Sequence, residues 1–141
     1  MIKHILLSFI FFITTITNSG FCDSVYIENS LEDAVLLSQD TKQPIFVLFT
    51  ADWCKYCEIM KKDISINLSD FDSYIICYID RDKREDLVKE YQVKNIPDYF
   101  ILKDNIEIKR KVGYKDYSNL TKWLYRDWET DRKSTRLNSS H

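Results

Sequence analysis

Two cysteines three residues apart, Cys54 and Cys57, carry the clearest chemistry in this 141-residue chain. They stand in Trp53-Cys54-Lys55-Tyr56-Cys57, just after the apolar run Ile45-Phe46-Val47-Leu48-Phe49. A cysteine attacks sulfur as its thiolate, and a thiol of pKa roughly 8.5 is mostly protonated at neutral pH. A helix beginning at this point changes that balance. Its unpaired amides and its dipole favour negative charge, and Lys55 adds a cation. Cys57 lies one turn on, where its sulfur can reach Cys54 and resolve a mixed disulfide. Metal binding is the rival chemistry, but a structural zinc site usually needs four Cys or His ligands. The only histidines are His4 and His141, near the two ends, and Cys77 alone cannot complete a set. No metal site is expected. The shortage of histidine also argues against Cys-His nucleophilic catalysis. A purely structural short disulfide is the remaining alternative, although such pairs seldom follow a tryptophan after a buried strand.

The elements that must position the pair follow from the apolar pattern. Val25-Tyr26-Ile27 predicts a short strand, and Ser30 with Asp33 three residues on predicts a helix start, with Leu31, Ala34, Val35 and Ser38 on one face. Pro44 stops that helix. Ile45 to Phe49, uninterrupted by polar residues, fits a strand covered on both faces. A helix is expected from about Cys54 to Asn67, a turn at Asp70-Phe71-Asp72, a buried strand over Tyr74 to Ile79, and an amphipathic helix over Arg84 to Tyr91. Strand and helix alternate to this point, as in βαβ units. After Pro97 the pattern changes to an antiparallel hairpin. Its arms are Tyr99 to Leu102 and Ile106 to Val112, the second alternating apolar and charged residues so that one face meets water. Gly113 ends the hairpin, and Asp116 caps a last helix bearing Leu120, Trp123 and Leu124.

The ends of the chain read differently from its middle. Lys3, the apolar run Ile5 to Ile16 and Thr17-Asn18-Ser19-Gly20 resemble an export signal, so residues 1–22 are expected to be a signal peptide. The run is shorter than the roughly 20 apolar residues that span a bilayer. Cleavage is placed near Gly20 or after Cys22; an uncleaved anchor and lipidation at Cys22 are the alternatives. From Arg126 the chain has no apolar period, and residues 126–141 are read as a non-native or disordered polar tail. Between these ends lie 15 basic and 19 acidic side chains, so residues 23–125 form a mildly acidic single domain. That balance speaks against nucleic acid or anionic membrane as a partner. Cys77, in an apolar run, is read as a buried small hydrophobe.

Three landmarks in order resemble the thioredoxin family. The segment from Phe46 to Cys57 matches its strand, Trp-Cys-x-x-Cys turn and helix start; Asn95-Ile96-Pro97 matches its cis-proline loop; Lys111-Val112-Gly113 with Asp116 and Leu120 matches its last strand, glycine and helix. The resemblance covers about residues 25–125. It implies an α/β thioredoxin fold, a central mixed sheet of four to five strands flanked by helices. It also implies that Cys54 attacks and Cys57 resolves. Pro97 would be cis against the pair, leaving the Ile96 backbone to bond an extended substrate segment. Trp53, Lys55 and Tyr56 would complete the substrate surface. No cofactor is implied beyond the Cys54–Cys57 disulfide or dithiol.

Four residues depart from the family pattern. Leu48 stands where thioredoxins usually carry a buried acid that helps move a proton from the resolving thiol, leaving Asp52 and Glu58 as the nearest carboxylates in sequence. Lys55-Tyr56 matches neither cytoplasmic reductants nor strong periplasmic oxidants. Asp98, where threonine is common, is expected to add a charge beside the substrate loop. The expected function is an exported, periplasmic or otherwise extracytoplasmic, thiol-disulfide oxidoreductase. It would act as a monomeric reductant or isomerase of protein disulfides, coupled to a membrane electron donor or acceptor. A disulfide-forming oxidase and a non-catalytic binding module are the alternatives.

Overall fold

The computed structural model describes residues 25–126. The expected leader with Cys22, the two histidines, and the polar tail beyond Arg126 lie outside the described residues. Along the chain come β1 (Tyr26–Glu28), α1 (Leu31–Thr41), β2 (Ile45–Thr50), α2 (Lys55–Ile66) and a 3-10 turn (Leu68–Phe71). There follow β3 (Ile75–Asp80), α3 (Glu85–Glu90), β4 (Asp98–Lys103), β5 (Ile106–Val112) and a final helix, α4, over residues 117–126. The strands form one mixed sheet in the order β1-β3-β2-β4-β5. β3 runs parallel to both β1 and β2, whereas β4 is antiparallel to β2 and β5. A mixed sheet flanked by helices is the expected architecture.

β2 is the centre of this arrangement, and its composition explains why. Side chains along a strand alternate between faces. Ile45, Val47 and Phe49 enter one core with Leu31 and Ala34 of α1 and Leu87 of α3. Phe46 and Leu48 enter the other with Met60 and Ile64 of α2 and Leu120 and Leu124 of α4. Both faces being covered, the strand carries no polar alternation.

Local chemistry sets the element ends. The Ser30 hydroxyl accepts from the Asp33 N–H at 3.3 Å and caps α1. Asp116 Oδ1 does the same for α4, accepting from Asn119 N–H at 3.0 Å. β4 and β5 are joined by Asp104 and Asn105, both at positive φ (51° and 62°), a primed two-residue turn that suits the twist of a hairpin.

Two elements carry more than the pattern showed. The expected turn at Asp70-Phe71-Asp72 ends a 3-10 element in which Phe71 is fully buried and packs edge-on against Phe46, ring centres 5.4 Å apart. In β5 the apolar residues are the exposed ones. Ile106 (64% exposed), Ile108 (54%) and Val112 (48%) face solvent, while the charged Lys109 and Arg110 reach inward. Lys109 Nζ donates to the Trp123 and Leu124 carbonyls of α4 at 2.7 and 3.0 Å, and Arg110 pairs with Asp98. Being consecutive, Lys109 and Arg110 leave the strand on opposite faces, and each is drawn in by acceptors on other elements.

Phe71→Ala is expected to cost about 3–5 kcal/mol, because the residue closes one core and nothing nearby can refill its volume. Urea unfolding followed by circular dichroism measures this. A loss below about 1 kcal/mol would place Phe71 outside the cooperative core.

Candidate functional site

β2 ends at Thr50 and the chain turns at once into α2, with the Cys54 N–H donating to the Ala51 carbonyl at 3.0 Å. Cys54 is the N-cap of α2. Its backbone is extended (φ −88°, ψ 94°), and its Sγ accepts from the Cys57 N–H at 3.3 Å. Sulfur thus takes the place usually held by a Ser, Thr, Asp or Asn oxygen. Cys54 and Cys57 form a disulfide, with Cα atoms 5.3 Å apart. Cys54 is 6% exposed and Cys57 1%, both packed with Ala51 and against Ile96.

The other expected site residues come from two places. Ile96 and Pro97 arrive on the loop before β4: Ile96 is half-buried against the cysteines, Pro97 is buried, and the peptide bond between them is cis. The Pro97 carbonyl accepts from the Gly113 N–H at 2.7 Å, tying this loop to the end of β5. Gly113 sits at φ +94°, which a residue with a side chain rarely adopts. Trp53, Lys55 and Tyr56 flank the cysteines in sequence and are exposed. The Trp53 indole N–H donates to Asp82 Oδ2 at 2.9 Å, and the Tyr56 ring lies against Tyr114, centres 5.1 Å apart. Neither Asp82 nor Tyr114 was found from sequence. Asp82 is 29 residues from Trp53, and only the position of Tyr114 just after Gly113 could have pointed to it.

Electrostatics behind the pair are those of an apolar core. Leu48 is fully buried at the position where an acid was looked for. Asp52 and Glu58 are exposed; the Glu58 backbone N–H donates to the Cys54 carbonyl at 3.1 Å, but neither carboxylate is hydrogen-bonded to a cysteine among the described residues. Asp98 is not a free charge beside the substrate loop. It is 2% exposed, and Arg110 grips it twice, Nε to Oδ1 at 2.8 Å and Nη2 to Oδ2 at 2.6 Å. Arg110 Nη1 also donates to the Tyr91 carbonyl at 2.9 Å, joining the end of α3 to the start of β4. The charge of Asp98 therefore anchors the chain directly after Pro97. Cys77 is fully buried in β3, and burial pushes its thiol up to about 12, so it stays protonated. It is not set up as a nucleophile.

Comparison with known proteins agrees with this geometry. The family model described as Thioredoxin matches residues 26–126. A Thioredoxin H-type of Fagopyrum esculentum is 32% identical over 76 residues, 54% of this chain and 66% of that protein, just under two thirds of its length. A Thioredoxin of Chlamydia trachomatis is 28% identical over 80 residues, covering 57% of this chain and 78% of that one. Among solved structures, a poplar thioredoxin h superposes with a TM-score of 0.65 at 20% identity, covering 75% of this chain and 97% of the poplar chain. At that identity the likeness speaks for the fold.

Two outcomes are expected from this site. In reduced native protein, an alkylating reagent should modify Cys54 and leave Cys77 untouched until denaturant is added; peptide mass spectrometry reads this directly, and equal labelling of the two would contradict the burial of Cys77. Arg110→Met should destabilise by about 3 kcal/mol by stranding the Asp98 carboxylate, and Asp98→Asn in the same chain should restore part of the loss. Additive losses in denaturant titrations would show that the pair is not coupled.

Proposed function

The chain belongs to the thioredoxin family and carries a thioredoxin-type thiol-disulfide centre at Cys54 and Cys57, and we propose that it reduces or isomerises protein disulfides outside the cytoplasm. The observation that carries the reading is the sulfur cap. Cys54 Sγ lies at the start of α2 and accepts a backbone N–H, so a thiolate there meets both the unpaired amides and the positive end of the helix. Cys54 is also the more exposed of the two cysteines.

In the forward direction the dithiol acts as a two-electron reductant. Cys54 Sγ⁻ attacks one sulfur of the substrate disulfide, and the other leaves as a thiolate that takes up a proton. Cys57, losing its proton, then attacks Cys54 Sγ in the mixed disulfide and expels the second substrate thiolate. The substrate has gained two electrons and Cys54–Cys57 is oxidised. With Leu48 behind the pair, the Cys57 proton passes to the departing thiolate or to water rather than to a buried carboxylate. Ile96 and Pro97 offer backbone at which an extended substrate segment can lie, and Trp53, Lys55 and Tyr56 flank its path. No cofactor enters the cycle.

Return to the dithiol state needs an electron donor, and for an exported protein this is a membrane component. The extracytoplasmic setting is supported by Lys3, the apolar run Ile5 to Ile16 and the small polar segment after it. Residues 1–22 act as the export signal, 23–125 as one monomeric domain, and 126–141 take no part in the chemistry.

Cys57→Ser expressed in cells should accumulate mixed disulfides through Cys54, recovered by diagonal electrophoresis; their absence would remove Cys54 as the attacking thiol. The reduction potential then fixes direction. A value near about −270 mV supports the reductase, whereas one near about −120 mV replaces it with the disulfide-forming oxidase.

A further inference from the structure

Aromatic rings carry much apolar surface, so exposed rings gathered at one place mark a surface that meets something. Among the described residues the exposed aromatic side chains are Tyr26, Trp53, Tyr56, Tyr114 and Tyr125. Three of these five belong to the disulfide centre. Trp53 and Tyr56 flank Cys54 in sequence, and Tyr114 arrives from the turn after β5, its ring centre 5.1 Å from that of Tyr56.

Tyr114 takes no part in the exchange of sulfur bonds, yet the backbone fixes its place. Gly113, at φ +94°, turns the chain out of β5, and its N–H donates to the Pro97 carbonyl at 2.7 Å. Tyr114 is therefore held one residue from a hydrogen bond to the cis-proline loop. Its ring crosses from there to Tyr56 in the first turn of α2. The two rings thus join the segments between which the cysteines are packed, the loop of Ile96 and Pro97 and the start of α2. A segment that brings a sulfur to Cys54 and lies along the Ile96 backbone passes beside this bridge.

The bridge is a shallow shelf rather than part of the interior. Tyr56 is 58% exposed and Tyr114 37%, their rings meet at 34°, and neither packs into the two main cores. Ring surface is left free for a further side chain, and aromatic contacts favour a partner beyond the area they bury. Charge does not favour one sign here, since Lys55 stands against Asp52 and Glu58, all exposed. The selective chemistry of the shelf is apolar.

Taking Cys54 as the attacking thiol of the proposed cycle, we propose that Tyr56 and Tyr114 form its specificity subsite. It selects protein disulfides in which an aromatic or long aliphatic side chain stands directly beside the attacked cysteine, and Tyr114 sets that preference.

The test uses short peptides, each dimerised through a single cysteine so that both sulfurs are equivalent, with Phe, Leu or Ala as the neighbouring residue. Single-turnover reduction by the dithiol form of the full chain is timed, and each rate is divided by that of dithiothreitol with the same peptide. The Phe and Leu peptides are expected to react about fivefold faster than the Ala peptide. Tyr114→Ala should bring that ratio close to one, Tyr114→Phe should keep it, and so should Tyr26→Ala, which removes an exposed ring on β1 at the sheet edge. A ratio taken within one variant cancels any change in the reactivity of the thiol. A merely structural loss at Tyr114 would slow all peptides alike and leave the ratio standing, and that result overturns the subsite. So do equal rates for the three peptides in the unaltered chain. Failure to reduce even hydroxyethyl disulfide would instead remove Cys54 as the attacking thiol, and the subsite with it.

Discussion

The helix that follows the central strand is capped by a sulfur atom, and much of the molecule serves to put that sulfur there. An N-cap must present an acceptor to the first free amides, and Cys54 Sγ does so at 3.3 Å from the Cys57 nitrogen. The same contact is catalytic in kind. Amides and dipole that favour an acceptor favour a thiolate still more, so capping α2 and activating the thiol are one interaction. Oxidation removes the charge without removing the contact, because the sulfur remains an acceptor in the disulfide. Whatever holds α2 in register therefore also tunes the thiol, and Met60 and Ile64, fully buried on that helix, bear on reactivity although they touch neither cysteine.

The rest of the site is assembled from segments far apart in sequence, and single polar contacts do the joining. One hydrogen bond, from Gly113 to the Pro97 carbonyl, closes the end of β5 onto the loop beside the cysteines. One ion pair, Asp98 with Arg110, fixes the residue after Pro97, and the same guanidinium holds the last carbonyl of α3. A buried ion pair adds little net stability over an apolar pair, yet it fails badly when one partner is lost. Its use here suits a point where register matters more than stability, since a shift at β4 would carry Ile96 away from the pair.

How much of this was legible follows from which forces are local. The apolar runs at Ile45 to Phe49 and Tyr74 to Ile79 give strands within a residue of where they lie, because burial on both faces leaves no polar alternative. Ser30 and Asp116 mark helix starts because capping acts across three residues. The cysteine pair, Ile96 and Pro97 were legible as landmarks. What was not legible is pairing between elements. The inward turn of Lys109 and Arg110, the neutralised Asp98, the Tyr56–Tyr114 contact and the Trp53–Asp82 bond each need a partner that only the fold brings near.

Leu48 shows the same logic applied to chemistry. A carboxylate at this fully buried position would be desolvated, and its pKa would rise until it could hold a proton near neutrality. That is useful for taking a proton from Cys57, but it places a polar group in a core otherwise built from Phe46, Met60 and Ile64. Leucine fills the volume without that group and leaves the acid–base chemistry to the thiols, the helix terminus and water. In the proposed cycle, attack by Cys54 would need nothing more, since a thiolate there is stabilised from the front by α2. Resolution by Cys57 would differ, because Cys57 is only 1% exposed and would have to lose its proton there. On that reading, the asymmetry between a supported first thiol and an unsupported second one is built into the central strand itself.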